Sequence, residues 1–406
     1  MPRFGRKQNS PGFGRRKLSV VAKLGIVAGA LAVLAGGFFG IRALLSAGQN
    51  DPGVGTDHPA AADTVIHLIS GGDVNVTDKV VAAGEKDGSY DYGNILLDVM
   101  PVLSGGDLTT LNFEGNLYQP PYGSANSCAP AELAAALRNA GVDILQTANS
   151  KSVTNGILGL SATLDGIRNA GMQSVGTYAS QDQFRRYQGF VIREVDGIRI
   201  AITAFTKGMD GKGLPSGSEY CVNLLYEDYN SAYQTVDEEG IRSVLKAIEK
   251  QKPDVTIALL HWGSEFNDQI SKTQTQIVEI MADGGVDAIV GTHSHYVQKM
   301  GFDQETGMFI AYSLGDFLGD GDAAGTNYSV LLDLEITRSG ETGAVSISGY
   351  SYTPIYRYED ETGNVRLLRI QQALTAYENR SLNAVSEVAY EAMKTALSRI
   401  ESRVKG

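Results

Sequence analysis

The chain contains few cysteines, and this scarcity limits the kinds of metal site and covalent cross-link that it can form. Two cysteines in 406 residues, with no Cys-x-x-Cys pair, exclude a zinc site built from cysteine thiolates within this chain. Both Cys128 and Cys221 lie in loop-like sequence, and in an oxidising compartment we expect them to form a disulfide with each other. Two unrelated thiols are the alternative.

Positive charge is scarce outside the N-terminus. The formal net charge is −12, yet the first 23 residues carry seven basic side chains and no acidic one. Without those seven charges the rest of the chain carries about −19. So acidic a body argues against nucleic acid as a partner, because the phosphate backbone is itself negatively charged.

A long apolar run follows the basic residues. Residues 24–41 are uncharged and mostly apolar, and extension back to Leu18 gives enough length to cross a bilayer. We predict a basic cytoplasmic tail (1–23), a transmembrane anchor (18–41) and a flexible linker (42–63). The basic flank places the N-terminus in the cytoplasm, so we expect a single-pass cell-membrane protein whose main domain is extracellular. A cleaved signal peptide is the alternative interpretation.

From Thr64 onward, strand-like and helix-like segments alternate, and strand-like segments dominate the C-terminal part until a final helix. This order predicts the α/β class, with layered mixed sheets. In open α/β sheets, binding sites lie at the carboxyl ends of strands.

Polar residues of the kind that bind metals stand at or just after the ends of several strand-like segments. His293 and His295 follow one apolar run, and on an extended backbone their side chains would project to the same side. The candidate metal ligands are Asp73, Glu114, Asn149, His261, His293 and His295. Mixed carboxylate, amide and imidazole ligands favour one or two divalent ions of manganese, zinc or iron over calcium. Taken singly, a turn-forming Asp73, a surface Glu114 or a core His261 would be the ordinary alternatives.

Six ordered motifs carry a resemblance to a known family. In chain order they are Gly72-Asp73-Val74, Asn112-Phe113-Glu114, Ala148-Asn149, His261-Trp262-Gly263-x-Glu265, Gly291-x-His293-x-His295 and Tyr312-Ser313-Leu314-Gly315-Asp316-Phe317. Over about Val65 to Asp320 the sequence resembles the CapA family, bacterial poly-γ-glutamate capsule synthesis proteins related to calcineurin-like metallophosphoesterases. The resemblance implies a four-layer α/β/β/α sandwich of metallophosphoesterase type, a metal centre and attachment to the outer face of the membrane. We expect this domain over residues 64–336, with the strands and helix of 337–406 packed on it.

One departure from the family pattern concerns the chemistry. The family's Ala-Asn-Asn-His segment reads Ala148-Asn149-Ser150-Lys151 here, and Thr154 stands where the family has an aspartate. The family's asparagine in the Tyr-Ser-Leu-Gly-x-Phe motif is Asp316. A lysine can hold an anionic oxygen as a point charge, but it cannot replace histidine as a proton shuttle without a large pKa shift.

Two functional hypotheses follow. In the first, Lys151, His261 and Asp316 are the catalytic residues of a metal-dependent hydrolase or transferase acting on a surface polymer or a phosphate ester. In the second, the protein is a non-catalytic polymer-binding or scaffold component of capsule export with a degenerate metal site. Either hypothesis implies an anionic cell-surface polymer, or its synthesis and export machinery, as the partner.

Overall fold

The computed structural model describes residues 61–381 and 385–405. The predicted anchor (18–41) lies outside the described residues, as does nearly all of the linker. Among the helices that are described, none combines the length and the apolar character that a bilayer crossing requires.

Short strands and helices alternate along the described chain. The strands are β1 (Thr64–Asn75), β2 (Glu85–Lys86), β3 (Ser89–Tyr90), β4 (Leu108–Glu114), β5 (Ile144–Gln146), β6 (Gln173–Val175), β7 (Phe190–Val195), β8 (Ile198–Thr206), β9 (Val255–His261), β10 (Ala288–Thr292), β11 (Met300–Phe302), β12 (Phe309–Ala311), β13 (Asp316–Leu318), β14 (Tyr328–Arg338), β15 (Val345–Glu359) and β16 (Val365–Arg369). The helices are α1 (Asp78–Gly84), α2 (Gly93–Leu96), α3 (Met100–Leu103), α4 (Ala131–Asn139), α5 (Gly156–Asn169), α6 (Gln181–Tyr187), α7 (Glu238–Glu249), α8 (Lys272–Asp283), α9 (Ile370–Glu378) and α10 (Glu387–Lys405).

Two large mixed sheets form the body, which confirms the predicted α/β class. The first sheet has the order β16-β15-β14-β1-β4-β5-β6, with β13 also paired to β1. Its half from β1 to β6 is parallel and its half from β14 to β16 is antiparallel. The second sheet has the order β11-β12-β10-β9-β8-β7, parallel except at its two outer strands.

Three apolar cores join these sheets and helices. Leu68 of β1 and Ile257 of β9 belong to the core between the two sheets. Leu133 of α4 belongs to a core on the outer side of the first sheet, and Ile277 of α8 to a core on the outer side of the second. Because both faces of the central parallel strands are covered, β4, β9 and β10 are buried along their whole length. This explains the largely apolar sequences of β9 and β10, whereas β4 has polar residues, among them Thr109 and Thr110, at buried positions.

The C-terminal strands and helix are integral to this body. Strands β15 and β16 extend the first sheet, while Met393 and Ile400 of α10 enter the core between the sheets.

The predicted disulfide is wrong. Cys128 and Cys221 are both free and fully buried. Cys221 lies in the core between the sheets, whereas the Cys128 sulfur accepts a hydrogen bond of 3.3 Å from the Asn155 side chain. Burial raises the pKa of both thiols, that of Cys221 to about 12, which makes them unreactive. The prediction failed because loop-like sequence around each cysteine does not indicate whether the two sulfur atoms lie close together.

A close backbone approach brings the end of β1 against β13. Asp73 and Asp316 are aligned in this parallel pairing, and the Asp73 amide donates a hydrogen bond of 3.1 Å to the Gly315 carbonyl. A Cβ atom added to Gly72 would lie 1.7 Å from the Gly315 carbonyl oxygen. Since the obstruction is backbone, no side-chain rotation can relieve it.

We therefore expect Gly72→Ala to lower the free energy of unfolding by about 3 kcal/mol or more. The measurement is urea unfolding of the 406-residue protein, followed through the fluorescence of the buried Trp262. Gly349→Ala is the matched control in β15, because the nearest atom to its new Cβ is 4.0 Å away. Equal stability of the two variants would contradict the close approach.

Candidate metal centre

The carboxyl ends of strands from both sheets meet at one place and bring acids and imidazoles together. Strands β1, β4 and β9 supply Asp73, Glu114 and His261. The turn after β10 supplies His293 and His295, and Asp316 begins β13. All six side chains are buried. The expected convergence of strand-end residues is therefore what the structure shows, while their role as metal ligands stays a prediction.

The first cluster consists of Glu114, His261 and His293, whose ligand atoms all lie within 4.8 Å of one another. His261 Nε2 is 3.7 Å from Glu114 Oε1, and the two imidazole ring centroids are 4.4 Å apart. We call this set the first triad.

Asp73, His295 and Asp316 form a second triad with the same 4.8 Å limit. His295 Nδ1 and Asp316 Oδ1 lie 2.7 Å apart. Burial alone would lower the pKa of His295, but the negative charges of Asp316, Glu114 and Asp73 raise it to about 10. His295 and Asp316 therefore form a charge pair within the protein.

Asp73 links the two triads. Its Oδ2 accepts a hydrogen bond of 3.0 Å from the backbone amide of His293, and its Oδ1 is 3.8 Å from His261 Nδ1. The Asn112 side chain donates to the same Oδ1 at 2.5 Å. Asn112 is in turn held by the Asn149 side-chain amide, whose Nδ2 donates to Asn112 Oδ1 at 3.0 Å.

Asn149, a predicted ligand, already has protein partners on both ends of its amide group. Besides Asn112, its Nδ2 donates to the Phe113 carbonyl at 2.7 Å, and its Oδ1 accepts from the Lys151 amide at 3.0 Å. The structure places it at the edge of the site, where it orients Asn112 and the start of the Lys151 loop.

Two orphaned atoms show that the first triad fits a cation. Glu114 Oε2 and His293 Nδ1 are buried and have no hydrogen-bond partner among the described residues. Burial and the nearby Asp73 raise the pKa of Glu114 to about 8, and burial lowers the pKa of His261 and His293 well below the usual value. Buried polar atoms of this kind are normally paired or bound to a metal. In the second triad, by contrast, His295 and Asp316 satisfy one another.

The backbone of the His293–His295 segment differs from the prediction. His293 has φ 92° and His295 has φ 60°, so the chain turns sharply after β10 and is not extended. The turn lets the His293 amide reach Asp73 and sends the two rings to different triads, with centroids 6.4 Å apart.

Lys151, the residue at the family's histidine position, is held in an ion pair. Its Nζ donates to Asp210 Oδ2 at 2.6 Å. Burial would lower the pKa of Lys151, but the hydrogen bond to Asp210 and the charge of Glu114 raise it. The lysine is therefore a cation whose charge a neighbouring carboxylate already balances.

The sequence reasoning missed several residues that surround His261. Ser150 Oγ is 3.1 Å from His261 Nε2, and Thr292 Oγ1 is 3.1 Å from His261 Nδ1. Lys207, directly after β8, was also missed, although its place at a strand end is the same signal that identified the histidines.

Comparison with known proteins agrees with the motifs. The sequence profile of the family described as bacterial capsule synthesis protein PGA_cap matches residues 67–321. The capsule biosynthesis protein CapA of Bacillus anthracis is 25% identical over 260 residues, which are 62% of this chain and 60% of that protein. The PGA biosynthesis protein CapA of Bacillus subtilis strain 168 is 25% identical over 316 residues, 77% of each chain. A probable polyglutamine synthesis accessory protein of Mycobacterium tuberculosis is 23% identical over 245 residues, 59% of this chain and 60% of that protein.

Solved structures resemble the chain only loosely. A calcineurin-like phosphoesterase from Bacillus subtilis has a TM-score of 0.45 at 14% identity, covering 84% of this chain and 99% of its own. A putative 5'-nucleotidase from Staphylococcus aureus has a TM-score of 0.48 at 12% identity, covering 82% of this chain and 58% of its own. Scores at this level establish neither a shared fold nor a shared chemistry.

The resemblance to CapA inferred from the six motifs is confirmed by the profile and by both Bacillus relatives. Because the profile spans residues 67–321, well over half of the chain, the protein belongs to the bacterial capsule synthesis protein family PGA_cap.

Proposed function

We propose that this capsule synthesis protein is a metal-dependent hydrolase or transferase that acts on an anionic substrate, a surface polymer or a phosphate ester. The observation that carries the proposal is the pair of buried, unpartnered atoms Glu114 Oε2 and His293 Nδ1, which lie among described residues that offer them no hydrogen bond. Buried polar atoms without partners in one cluster are typical of a cation-binding site.

The residues that would hold a divalent ion are Glu114, His261 and His293, and a second ion would fall to Asp73, His295 and Asp316. Bound there, an ion supplies Lewis acidity and an acidified water, with manganese, zinc or iron suited to these ligands. Thr292 Oγ1 holds the His261 ring through a contact of 3.1 Å to Nδ1, and Nε2 is the nitrogen on the side of Glu114. Asp73 fixes the His293 backbone and so orients that ring.

When only the first triad binds an ion, the second triad suits proton handling instead. Asp316 Oδ1 lies 2.7 Å from His295 Nδ1 and holds the ring in one orientation, as a partner of a proton-transferring histidine does. The Phe266 ring stacks on His295, with centroids 5.2 Å apart, and covers one face of the imidazole from solvent. Lys151 takes no part in proton transfer in this scheme, because its ion pair with Asp210 keeps it charged.

That same ion pair is the specific observation that favours a non-catalytic role as the second candidate. The cation at the family's histidine position is balanced by Asp210 at 2.6 Å, so neither a proton shuttle nor an open positive charge stands there. A protein of this kind would bind the polymer or its synthesis machinery without turnover. The relatives' names describe capsule and PGA biosynthesis, which either candidate would serve.

We also propose that residues 18–41 anchor the protein in the cell membrane with the body outside. The uncharged apolar run beside seven basic residues supports this placement. An outer location would put the site on the side of the membrane where a surface polymer is found.

We expect His293→Ala and Glu114→Gln each to weaken divalent-metal binding at least about 100-fold, since each removes one ligand of the first triad. Bound metal per chain is measured by elemental analysis after dialysis, and affinity by titration with zinc and manganese.

His67→Ala is the matched control for metal binding, because His67 also lies in the first sheet but pairs with Asp333 at 2.9 Å, outside both triads. His295→Ala then tests whether a second ion is bound. If this variant holds half as much metal per chain as the wild type, the protein binds two ions. Wild-type metal content in His293→Ala would refute the assignment of the first triad.

For catalysis, we expect the metal-loaded protein to turn over at least one member of a panel of phosphodiesters, phosphomonoesters and γ-glutamyl oligomers. Lys151→His should raise the rate about tenfold, because a neutral imidazole can transfer a proton at pH 7 and an ammonium cannot. Lys151→Met, which removes the charge and adds no proton carrier, is the control. Metal-bound wild type and Lys151→His that are both inert would favour the scaffold.

For the anchor, we expect the 406-residue protein to sediment with membranes and a variant lacking residues 18–41 to be released from them. Protease added to intact cells should degrade the body in the first case. A body protected from protease until the cells are lysed would contradict the orientation.

A further inference from the structure

Lys207 is fixed in place beside the first triad. It follows β8 directly, and its backbone amide donates a hydrogen bond of 2.8 Å to the His261 carbonyl. Its half-buried side chain extends so that Nζ donates to the Gly263 carbonyl at 2.8 Å. The ammonium also lies 4.4 Å from the centre of the Tyr233 ring, a cation–π contact. A long side chain held at two points on a fixed backbone is pre-organised for binding.

This ammonium has no acidic partner. Among residues 61–381 and 385–405, no carboxylate oxygen lies within 4.0 Å of Lys207 Nζ, whereas Lys151 has Asp210 at 2.6 Å. Glu265 and Asp210 attract it only from beyond contact distance. Lysines partly removed from solvent are normally paired with an acid, so an ammonium without one is suited to binding an anion.

Lys207 lies next to the first triad through the pairing of β8 with β9. Thr206 is in register with His261, and the next residue, Lys207, binds the His261 carbonyl through its amide. The Gly263 carbonyl that holds Nζ lies two residues after His261. The ammonium is therefore fixed beside the strand end that carries His261.

We propose that Lys207 binds an anionic oxygen group of the substrate, a carboxylate or a phosphoryl group, directly beside Glu114, His261 and His293. The inference assigns a substrate-binding residue to the proposed site and rests on that proposal. In a body with a charge of about −19, an anionic polymer finds no broad attraction, so recognition depends on such local cations. Lys151 cannot serve in the same way while Asp210 balances it.

The experiment separates charge from loop anchoring. Lys207→Gln keeps a donor for the Gly263 carbonyl but removes the charge, Lys207→Met removes both, and Lys207→Arg keeps the charge. Lys212→Met is the matched control, because Lys212 is exposed in the same loop. Calorimetry with the 406-residue, metal-loaded protein measures the affinity for inorganic phosphate, for a short γ-linked glutamate oligomer and for the same oligomer with its carboxylates amidated. Thermal unfolding and metal content are recorded for every variant.

We expect Lys207→Gln and Lys207→Met to weaken anion binding about tenfold or more with metal content unchanged, Lys207→Arg to stay within about threefold, and Lys212→Met to match wild type. Loss with phosphate alone assigns a phosphoryl group, and loss with the oligomer but not its amide assigns a carboxylate. If Lys207→Met fails to fold, Lys207→Gln decides. The inference is overturned if the folded, uncharged variants bind both anions as tightly as wild type. If the wild-type protein binds no divalent metal, the proposed function is refuted and the inference about Lys207 is not what has failed.

Discussion

The burial of like-charged acids beside imidazoles, where two sheets meet, is the constraint on which the rest of the site depends. Asp73, Glu114 and Asp316 are all buried within one small region, where loss of solvation raises the pKa of each and makes ionising all three costly. One part of this cost is met inside the protein, by the His295–Asp316 charge pair at 2.7 Å. The other part, around Glu114, is met by no side chain that the structure describes. The cluster lowers the stability of the fold, which is the behaviour expected of a binding site.

The backbone makes this crowding possible. Gly72 allows β1 to approach the Gly315 carbonyl so closely that Asp73 and Asp316 become neighbours in register. The sharp turn after β10 then directs the His293 amide to Asp73. The first feature excludes a side chain at Gly72, and the second requires a turn where an extended strand end would be simpler. Both therefore serve the arrangement of the site more than the stability of the sheets.

The amino-acid sequence predicted those parts of the site that follow from the order of strands within one sheet. The carboxyl ends of neighbouring parallel strands lie at one edge of a sheet, so the proximity of Asp73 to Glu114 in the first sheet and of His261 to His293 in the second follows from the strand pattern. The meeting of the two sheet edges does not follow from that rule. Prediction from the sequence failed where the outcome depended on contacts between distant segments. The buried positions of Cys128 and Cys221 exclude the expected disulfide, and the turn at His293 separates two rings that an extended chain would have aligned. Nothing near Lys151 in the sequence pointed to Asp210, which lies 59 residues away.

The two lysines at the site show why residue type alone is a poor guide to function. Lys151 drew attention because it replaces a family histidine, yet its charge is balanced by a partner at 2.6 Å. Lys207 had no motif to identify it, yet it is the one of the two without an acid in contact among the described residues. A balanced cation stabilises the loops that it joins, whereas a cation held only by a carbonyl and an aromatic ring keeps its net charge for an anion. The difference between them is therefore set by their neighbours, and the part of the site that recognises a ligand lies on the β8 side and not at the substituted position.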